Sequence, residues 1–379
     1  MPLCDLAPPH IRAIAPYQPG KPISELAREM GLRDADIVKL ASNENPLGPS
    51  PKARAAIAAG LDEVARYPDG NGFALKSTLA SKLGVNIAGV ILGNGSNDVL
   101  ELAARALLGP GTSAVYSEHA FAVYPLATQA VGAAGIEVPA RAWGHDLAAM
   151  RAAIRGNTRV VFIANPNNPT GTLLSAGELH DFLRSVPPTV AVVLDEAYGE
   201  FLNARLRAPS VSWLSEFPNL ILTRTFSKAY GLAGLRVGYA LAHPDVADLL
   251  NRLRQPFNVN SLGLAAATAA LDDSEFLARA KVVNDAGMAQ LLEGCERLGL
   301  GHIPSHGNFV CIEVGGHATE RENKDASVAT RVYQALLRKG VIVRPVANYG
   351  LPAFLRVSIG LPEENARFLD ALGEIQEQA

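Results

Sequence analysis

The sequence predicts an α/β fold: a large domain with a mainly parallel sheet flanked by helices, followed by a smaller α+β domain. Three observations predict it. From about residue 90, short β-rich runs alternate with helix-length segments. Those runs are mostly apolar throughout instead of alternating, as strands covered on both faces are. After roughly residue 270, a long helical stretch leads into isolated strand-like runs. The chain has 379 residues, more than one ordinary domain of ~100–200 residues. Three parts are expected: an N-terminal arm and short helix (1–45), the large α/β domain (46–270) and the small α+β domain (271–379).

Taken in order, Pro8, Pro9, Pro16, Pro19 and Pro22 keep the arm extended; Ser24 is expected to cap a short helix over Glu25–Met30 that Gly31 stops. Ser50-Pro51 opens another helix, with proline in the first turn where its missing N–H costs nothing. The large-domain strands are expected at Val90–Leu92, Ser113–Tyr116, Val160–Ala164, Val190–Leu194, Leu220–Thr223 and Val237–Leu241. Ser175-Ala176-Gly177-Glu178 is a capping-box pattern that opens a crossover helix, and strands joined by such crossovers pair in parallel. In the small domain a helix over Phe276–Leu298 precedes strands at Phe309–Glu313, Val341–Arg344 and Leu355–Ile359; Gly315–Asp325 is polar and predicted to be a surface loop.

Composition narrows the function. With 48% hydrophobic and 19% charged residues and a net charge of −3, the chain shows neither a basic stripe for nucleic acid nor a charge block for a membrane surface. Its N-terminus lacks a basic segment followed by an apolar run, and its most apolar stretch, Leu262–Leu271, is shorter than the ~18 residues of a membrane span. Cys4, Cys295 and Cys311 are too few and too scattered for a disulfide framework, so a cytoplasmic location is expected. The eight histidines lack metal-ligand spacing, and no metal is expected.

Four motifs carry chemistry, and each follows a strand. Asp195 in Val193-Leu194-Asp195-Glu196-Ala197-Tyr198 sits where open α/β sheets place ligands, although a lone strand-end aspartate also serves as a cap. Thr225-Phe226-Ser227-Lys228-Ala229-Tyr230-Gly231, running on to Arg236, sets a lysine among hydroxyls, glycines and an arginine. A lysine there is either a solvated charge or, in a partly apolar, cation-rich pocket, a Schiff-base nucleophile. Asn165-Pro166-Asn167-Asn168-Pro169-Thr170-Gly171 reads by itself as a turn. Gly93-Asn94-Gly95-Ser96-Asn97-Asp98 opens a helix whose free N–H groups suit a phosphate or serve as a plain cap. The absence of a Gly-Lys-Ser/Thr sequence argues against a nucleoside triphosphate.

Together and in this order, the motifs resemble the fold-type-I pyridoxal-phosphate aminotransferases of class II, and within them the histidinol-phosphate aminotransferase family. The likeness extends from Pro16-Tyr17-Gln18-Pro19-Gly20-Lys21 and Leu40-Ala41-Ser42-Asn43-Glu44-Asn45-Pro46 to Leu355-Arg356-Val357-Ser358-Ile359-Gly360. The resemblance implies that Lys228 carries pyridoxal 5′-phosphate as a Schiff base and moves the substrate's α-proton. It implies that Asp195 pairs with the pyridine nitrogen and that Asn168 and Tyr198 bond the ring oxygen. Phe121, where many relatives have tyrosine, is implied to stack on the ring. Ser96, Asn97, Thr225, Ser227 and Arg236 are implied to hold the phosphate. Tyr67 is implied to reach the phosphate of a neighbouring subunit, making a homodimer with shared active sites.

For the substrate, the resemblance implies that Arg356 clamps a carboxylate, a role that suits its bidentate fork, and that Arg344 binds a second anionic group. Tyr17 and Asn43 line the same pocket in this reading. The implied substrates are small amino acids or amino phosphates with glutamate and 2-oxoglutarate. Three other readings stay open: an aromatic or arogenate-type aminotransferase, a phosphothreonine decarboxylase, and a pyridoxal-phosphate-binding regulator. For the last, the arm before residue 45 is too short and proline-rich to be a DNA-binding domain.

Overall fold

A computed structural model describes residues 2–314 and 326–378. The surface loop expected at 315–325 lies outside the described residues.

The arm is not extended throughout, as its prolines predict: Leu3–Leu6 and Pro9–Arg12 each form a short helical turn, the second with Pro9 at its first position, where the missing N–H costs nothing. The short strand β1 (Val38–Lys39) then joins a two-stranded sheet apart from the central one. The central sheet is built from β2 (Val90–Gly93), β3 (Ser113–Ser117), β4 (Ala134–Val138), β5 (Thr158–Ala164), β6 (Ala191–Asp195), β7 (Leu220–Thr225) and β8 (Gly238–Ala242), in the spatial order β2-β8-β7-β6-β5-β3-β4. Strand β8 runs antiparallel to both neighbours, while the other pairings are parallel. Each expected strand is present within a residue or two. The sequence reading missed β4, Ala-Gly-Ile-Glu-Val, because an edge strand with mostly exposed residues carries no apolar run.

Successive residues of the central strands enter different cores. Val161 and Ile163 of β5 join one apolar cluster, and Val160, Phe162 and Ala164 join another. Helices therefore cover both faces, which explains the unbroken apolar runs. Full burial of each Val, Leu, Ile or Phe contributes about 1.5–3 kcal/mol, so this two-sided core stabilises the sheet on both faces.

The second sheet contains β9 (His302–Ile303), β10 (Phe309–Glu313), β12 (Arg344–Pro345) and β13 (Phe354–Ser358), in the order β12-β13-β10-β9 and antiparallel. The run expected as a single strand over Val341–Arg344 is divided. Its first half, β11 (Val341–Ile342), pairs in parallel with β1, and its second half pairs with β13. The N-terminal segment is thereby tied to the C-terminal sheet, with Leu40 packed into the same core as Val341 and Val357.

Two helix starts illustrate local control. The capping box at Ser175 and Glu178 forms in both directions. The longer arm helix spans Ile23–Met30 with Pro22, not Ser24, at the cap position. The Pro22 carbonyl accepts from Leu26 N–H, and Lys21 bridges Glu25 and Glu29, so the helix starts two residues earlier than a capping serine predicts. Gly31 ends it in the left-handed conformation at φ 66°.

Candidate active site

Strands β5, β6 and β7 end at the same edge of the sheet, and the motif residues follow those ends into a cavity of about 180 Å³. This is the crevice outside the carboxyl ends of parallel strands, where the topology leaves room for a ligand.

At one end of the cavity, the helix Ser96–Leu107 begins at Gly95 with no side-chain cap, so its first N–H groups are free for an anion. Gly95 has φ 81°, and a Cβ there would lie 2.3 Å from an Arg236 Nη. A Cβ on Gly238 of β8 would lie 2.3 Å from the Ser96 nitrogen. Both glycines are thus required for the guanidinium, the strand and the helix entrance to approach so closely. Arg236, itself left-handed at φ 57°, donates to Ser227 Oγ at 3.3 Å, and Ser227 N–H donates to Thr225 Oγ1 at 3.1 Å. Arg236 makes no ion pair with a described residue, leaving a positive charge over a cup of donors.

In the middle of the cavity stand Asp195 and Lys228. Asp195 is 5% exposed; its Oδ2 accepts from the Tyr124 hydroxyl at 3.0 Å, while the buried Oδ1 has no hydrogen-bond partner. Burial pushes its carboxyl up to about 6, against the hydrogen bond from Tyr124. Lys228 Nζ donates to the Ser42 carbonyl at 3.0 Å and lies 5.8 Å from the Tyr198 ring centre. Burial first, then the Arg356 and Arg236 charges, brings its ammonium down to about 7. A lysine in this state exchanges its proton near neutral pH and is nucleophilic when it does.

The remaining wall joins parts of the chain far apart in sequence. Asn43, held at φ 54°, donates from its side-chain nitrogen to the Tyr198 hydroxyl at 2.9 Å, and its backbone N–H bonds Ser358 Oγ at 2.7 Å. Burial raises the Tyr198 hydroxyl to about 12, although Arg356 and the Asn43 bond oppose this, so it stays protonated. Arg356 donates to Asn168 Oδ1 and to the Ala41 carbonyl, and its Nε is buried without a partner. Arg344 faces Arg356 across the β12–β13 pair, donates to the Gln18 carbonyl, and packs its guanidinium 5.6 Å from the half-exposed Tyr17 ring. Phe121 meets Tyr124 edge-on with centres 5.9 Å apart.

All the residues singled out from the sequence line this one cavity except Tyr67. Tyr67 is exposed and stacks on Phe257 at 4.8 Å. The sequence reading also missed Tyr124, Ser42 and Tyr349, which line the cavity. Tyr124 sits three residues after Phe121, but nothing local marks it, because its partner Asp195 is 71 residues away. Among the described residues there is no cluster of three metal-ligating side chains and no helix long and apolar enough to cross a membrane.

The family described as aminotransferase class I and II matches residues 35–372 of the chain. The chain belongs to this family. Among class I and II aminotransferases, it is 64% identical to histidinol-phosphate aminotransferase 1 of Thiobacillus denitrificans, over 97% of this chain and 93% of that one. It is 62% identical to the histidinol-phosphate aminotransferase of Methylobacillus flagellatus, over 98% of each. A crystal structure of histidinol-phosphate aminotransferase from Sinorhizobium meliloti in complex with pyridoxal-5′-phosphate superposes with a TM-score of 0.89 at 30% identity, covering 99% of this chain and 98% of that one.

The cavity of this aminotransferase fits such a cofactor on two counts of its own. The orphaned Asp195 Oδ1 suits a protonated ring nitrogen, since a buried acceptor without a donor is costly. The free helix entrance with Arg236 suits a phosphate.

Proposed function

We propose that this chain is a pyridoxal-phosphate-dependent histidinol-phosphate aminotransferase, moving the amino group of glutamate to imidazole acetol phosphate to give histidinol phosphate and 2-oxoglutarate. The observation that carries the substrate class is the pair of buried arginines. Arg344 and Arg356 are each 7% exposed, sit opposite one another on paired strands, face the same cavity as Lys228, and make no ion pair with a described residue. Two buried cations without counter-charges favour anionic substrates, because leaving them unpaired is expensive. The identity with the Thiobacillus and Methylobacillus enzymes supports the particular substrate.

Pyridoxal phosphate, when bound, supplies the electron sink that takes up the electron pair left as a substrate's Cα–H bond breaks. The chain's residues do the rest. Ser96 and Asn97 backbone N–H groups, with Thr225, Ser227 and Arg236, hold the phosphate end. Asp195 Oδ1 accepts from the ring nitrogen and keeps it protonated. Asn168 and Tyr198 bond the ring oxygen, and Phe121 covers one side of the ring. Arg356 fixes the carboxylate of glutamate, while Arg344 meets the phosphate of the other substrate; Tyr17 and Asn43 line the space between. Lys228 Nζ takes the proton from the substrate Cα and delivers it on the other side of the transfer, a task suited to an amine titrating near pH 7.

The test is a set of half-reactions. Protein loaded with pyridoxal phosphate is mixed separately with histidinol phosphate, glutamate, phenylalanine and phosphothreonine, and the cofactor spectrum and released carbon dioxide are followed. Rapid conversion by histidinol phosphate and by glutamate is expected. Preference for phenylalanine would move the enzyme to aromatic substrates, and carbon dioxide from phosphothreonine would remove it from the aminotransferases. Arg344→Ala is expected to raise KM for histidinol phosphate by about 10–100-fold, the value of a charged hydrogen-bonded contact, with a much smaller change for glutamate. Equal losses for both substrates would refute the phosphate role.

A cytoplasmic homodimer with shared sites belongs to the same reading. Tyr67 supports it: a tyrosine that is 83% exposed and outside its own cavity is free to serve a second one. Tyr67→Ala and Lys228→Ala chains, each weakly active or inactive alone, are expected to regain activity on mixing, because the hybrid dimer contains one site with both residues. No gain after subunit exchange would exclude sharing through Tyr67.

A further inference from the structure

Asp195 has two oxygens with different fates. Oδ1 is buried without a partner, and Oδ2 accepts from the Tyr124 hydroxyl at 3.0 Å. Tyr124 is itself fully buried, with its ring stacked on Phe162 at 4.9 Å and 5° between planes, and edge-on to Phe121. The Thr128 hydroxyl donates to the Tyr124 carbonyl, fixing the helix turn that carries it. The hydroxyl thus lies at the end of a ring that packing holds in one orientation. A phenylalanine would fill this apolar slot equally well, and would avoid burying a hydroxyl at a cost that only a hydrogen bond offsets. The hydroxyl therefore serves its acceptor.

Resting on the aminotransferase reading above, we propose that Tyr124 is a positioning residue for Asp195: by donating to Oδ2 it orients the carboxylate, keeps it ionised, and leaves Oδ1 to receive the cofactor's ring nitrogen. Tyr124 does not itself touch the reacting atoms in this arrangement.

The surroundings of Asp195 make this donor consequential. On its own segment stand Glu196, a like charge held by Arg224 at 2.8 Å, and Tyr198; from the segment after β7 comes Lys228. Burial and Glu196 favour the protonated carboxyl, whereas the Tyr124 bond first, then the Thr223 hydroxyl and the Ala197 backbone N–H, favour the carboxylate. Lys228, whose own charge is suppressed by burial, gives limited help near neutral pH. Without the hydroxyl, Asp195 takes up a proton at a higher pH, and a neutral acid no longer holds the ring nitrogen protonated.

The experiment compares wild type with Tyr124→Phe and Leu250→Ala, all loaded with pyridoxal phosphate labelled with ¹⁵N in the ring. For Tyr124→Phe, the acid limb of the kcat profile is expected to move up by about one pH unit, from loss of a bond to a charged group. The ring-nitrogen resonance is expected to move towards its unprotonated position at neutral pH, and kcat to recover as pH is raised. Leu250→Ala removes packing from the same apolar core, on the helix Pro244–Asn251, and leaves the Tyr124 ring contacts and hydroxyl in place; it is expected to lower Tm without moving the acid limb or the resonance. A Tyr124→Phe enzyme with unchanged acid limb and resonance overturns the proposal, as does an equal shift in Leu250→Ala. A wild type that takes up no pyridoxal phosphate overturns the aminotransferase reading and this inference with it, so the two failures are distinguishable.

Discussion

Lys228→Ala abolishes turnover, by roughly 10⁴-fold or more, because the variant loses both the amine that holds the cofactor and the base that moves the α-proton. The long-wavelength absorbance of the bound cofactor is lost with it, and spectrophotometry of the purified variant after incubation with pyridoxal phosphate is the check. Retention of that absorbance together with substantial turnover would refute the assignment of Lys228. Stability provides an independent reading in the cofactor-free protein. Burial lowers Lys228 to about 7 from an ordinary value of 10.5. Between those two values the unfolded chain holds a proton here that the folded chain does not, so folding stability rises with pH through that window. The alanine variant lacks this dependence. Its Tm is therefore expected to exceed that of cofactor-free wild type below pH 7, and the difference to shrink as pH approaches 10.5.

Asp195→Asn has the second largest effect. The amide keeps the shape of the carboxylate and can still take a hydrogen bond from Tyr124, but it offers no negative charge to a protonated ring nitrogen. Loss of a preorganised electrostatic contact to a developing charge costs roughly 10²–10³ in rate, and kcat is expected to fall by about that factor with KM changed much less. Steady-state kinetics with histidinol phosphate provide the measurement; a kcat within a few-fold of wild type would mean that the carboxylate charge is not used. The apo variant also bears on the electrostatics. Replacing a buried carboxylate held at about 6 by a neutral amide removes an ionisation that burial opposes, so the fold itself is not expected to weaken at neutral pH.

The local rules were legible where a residue's neighbours in sequence are also its neighbours in space. The capping box at Ser175, the proline-led helix after Ser50 and the left-handed Gly31 stop follow from a few adjacent residues. The sheet was legible because both its faces are covered, which writes Val160–Ala164 and Leu220–Thr223 as unbroken apolar runs. Where one face is open, as in β4, that signal disappears. Ser24 misled for a related reason: a good capping side chain was outweighed by the Pro22 carbonyl and by the Lys21 bridges to the following turns. The division of Val341–Arg344 between two sheets depends on β1, some 300 positions earlier, and no local pattern records it.

By itself, the sequence determined that strand-end aspartate, lysine, asparagine and glycine motifs recur in the order of one cofactor-binding architecture, since those residues act through backbone positions that their own strands and helices set. Only the tertiary structure decided how they meet. It brought Asn43 against Tyr198 and Ser358, seated Arg344 beside Arg356 above the same cavity as Lys228, and aimed Tyr124 at one oxygen of Asp195. Burial then shifted Lys228 and Asp195 towards neutrality from opposite sides. The physical reason is that proton affinity and hydrogen-bond direction depend on which distant groups exclude water from a site, and exclusion of water is a property of the packed fold.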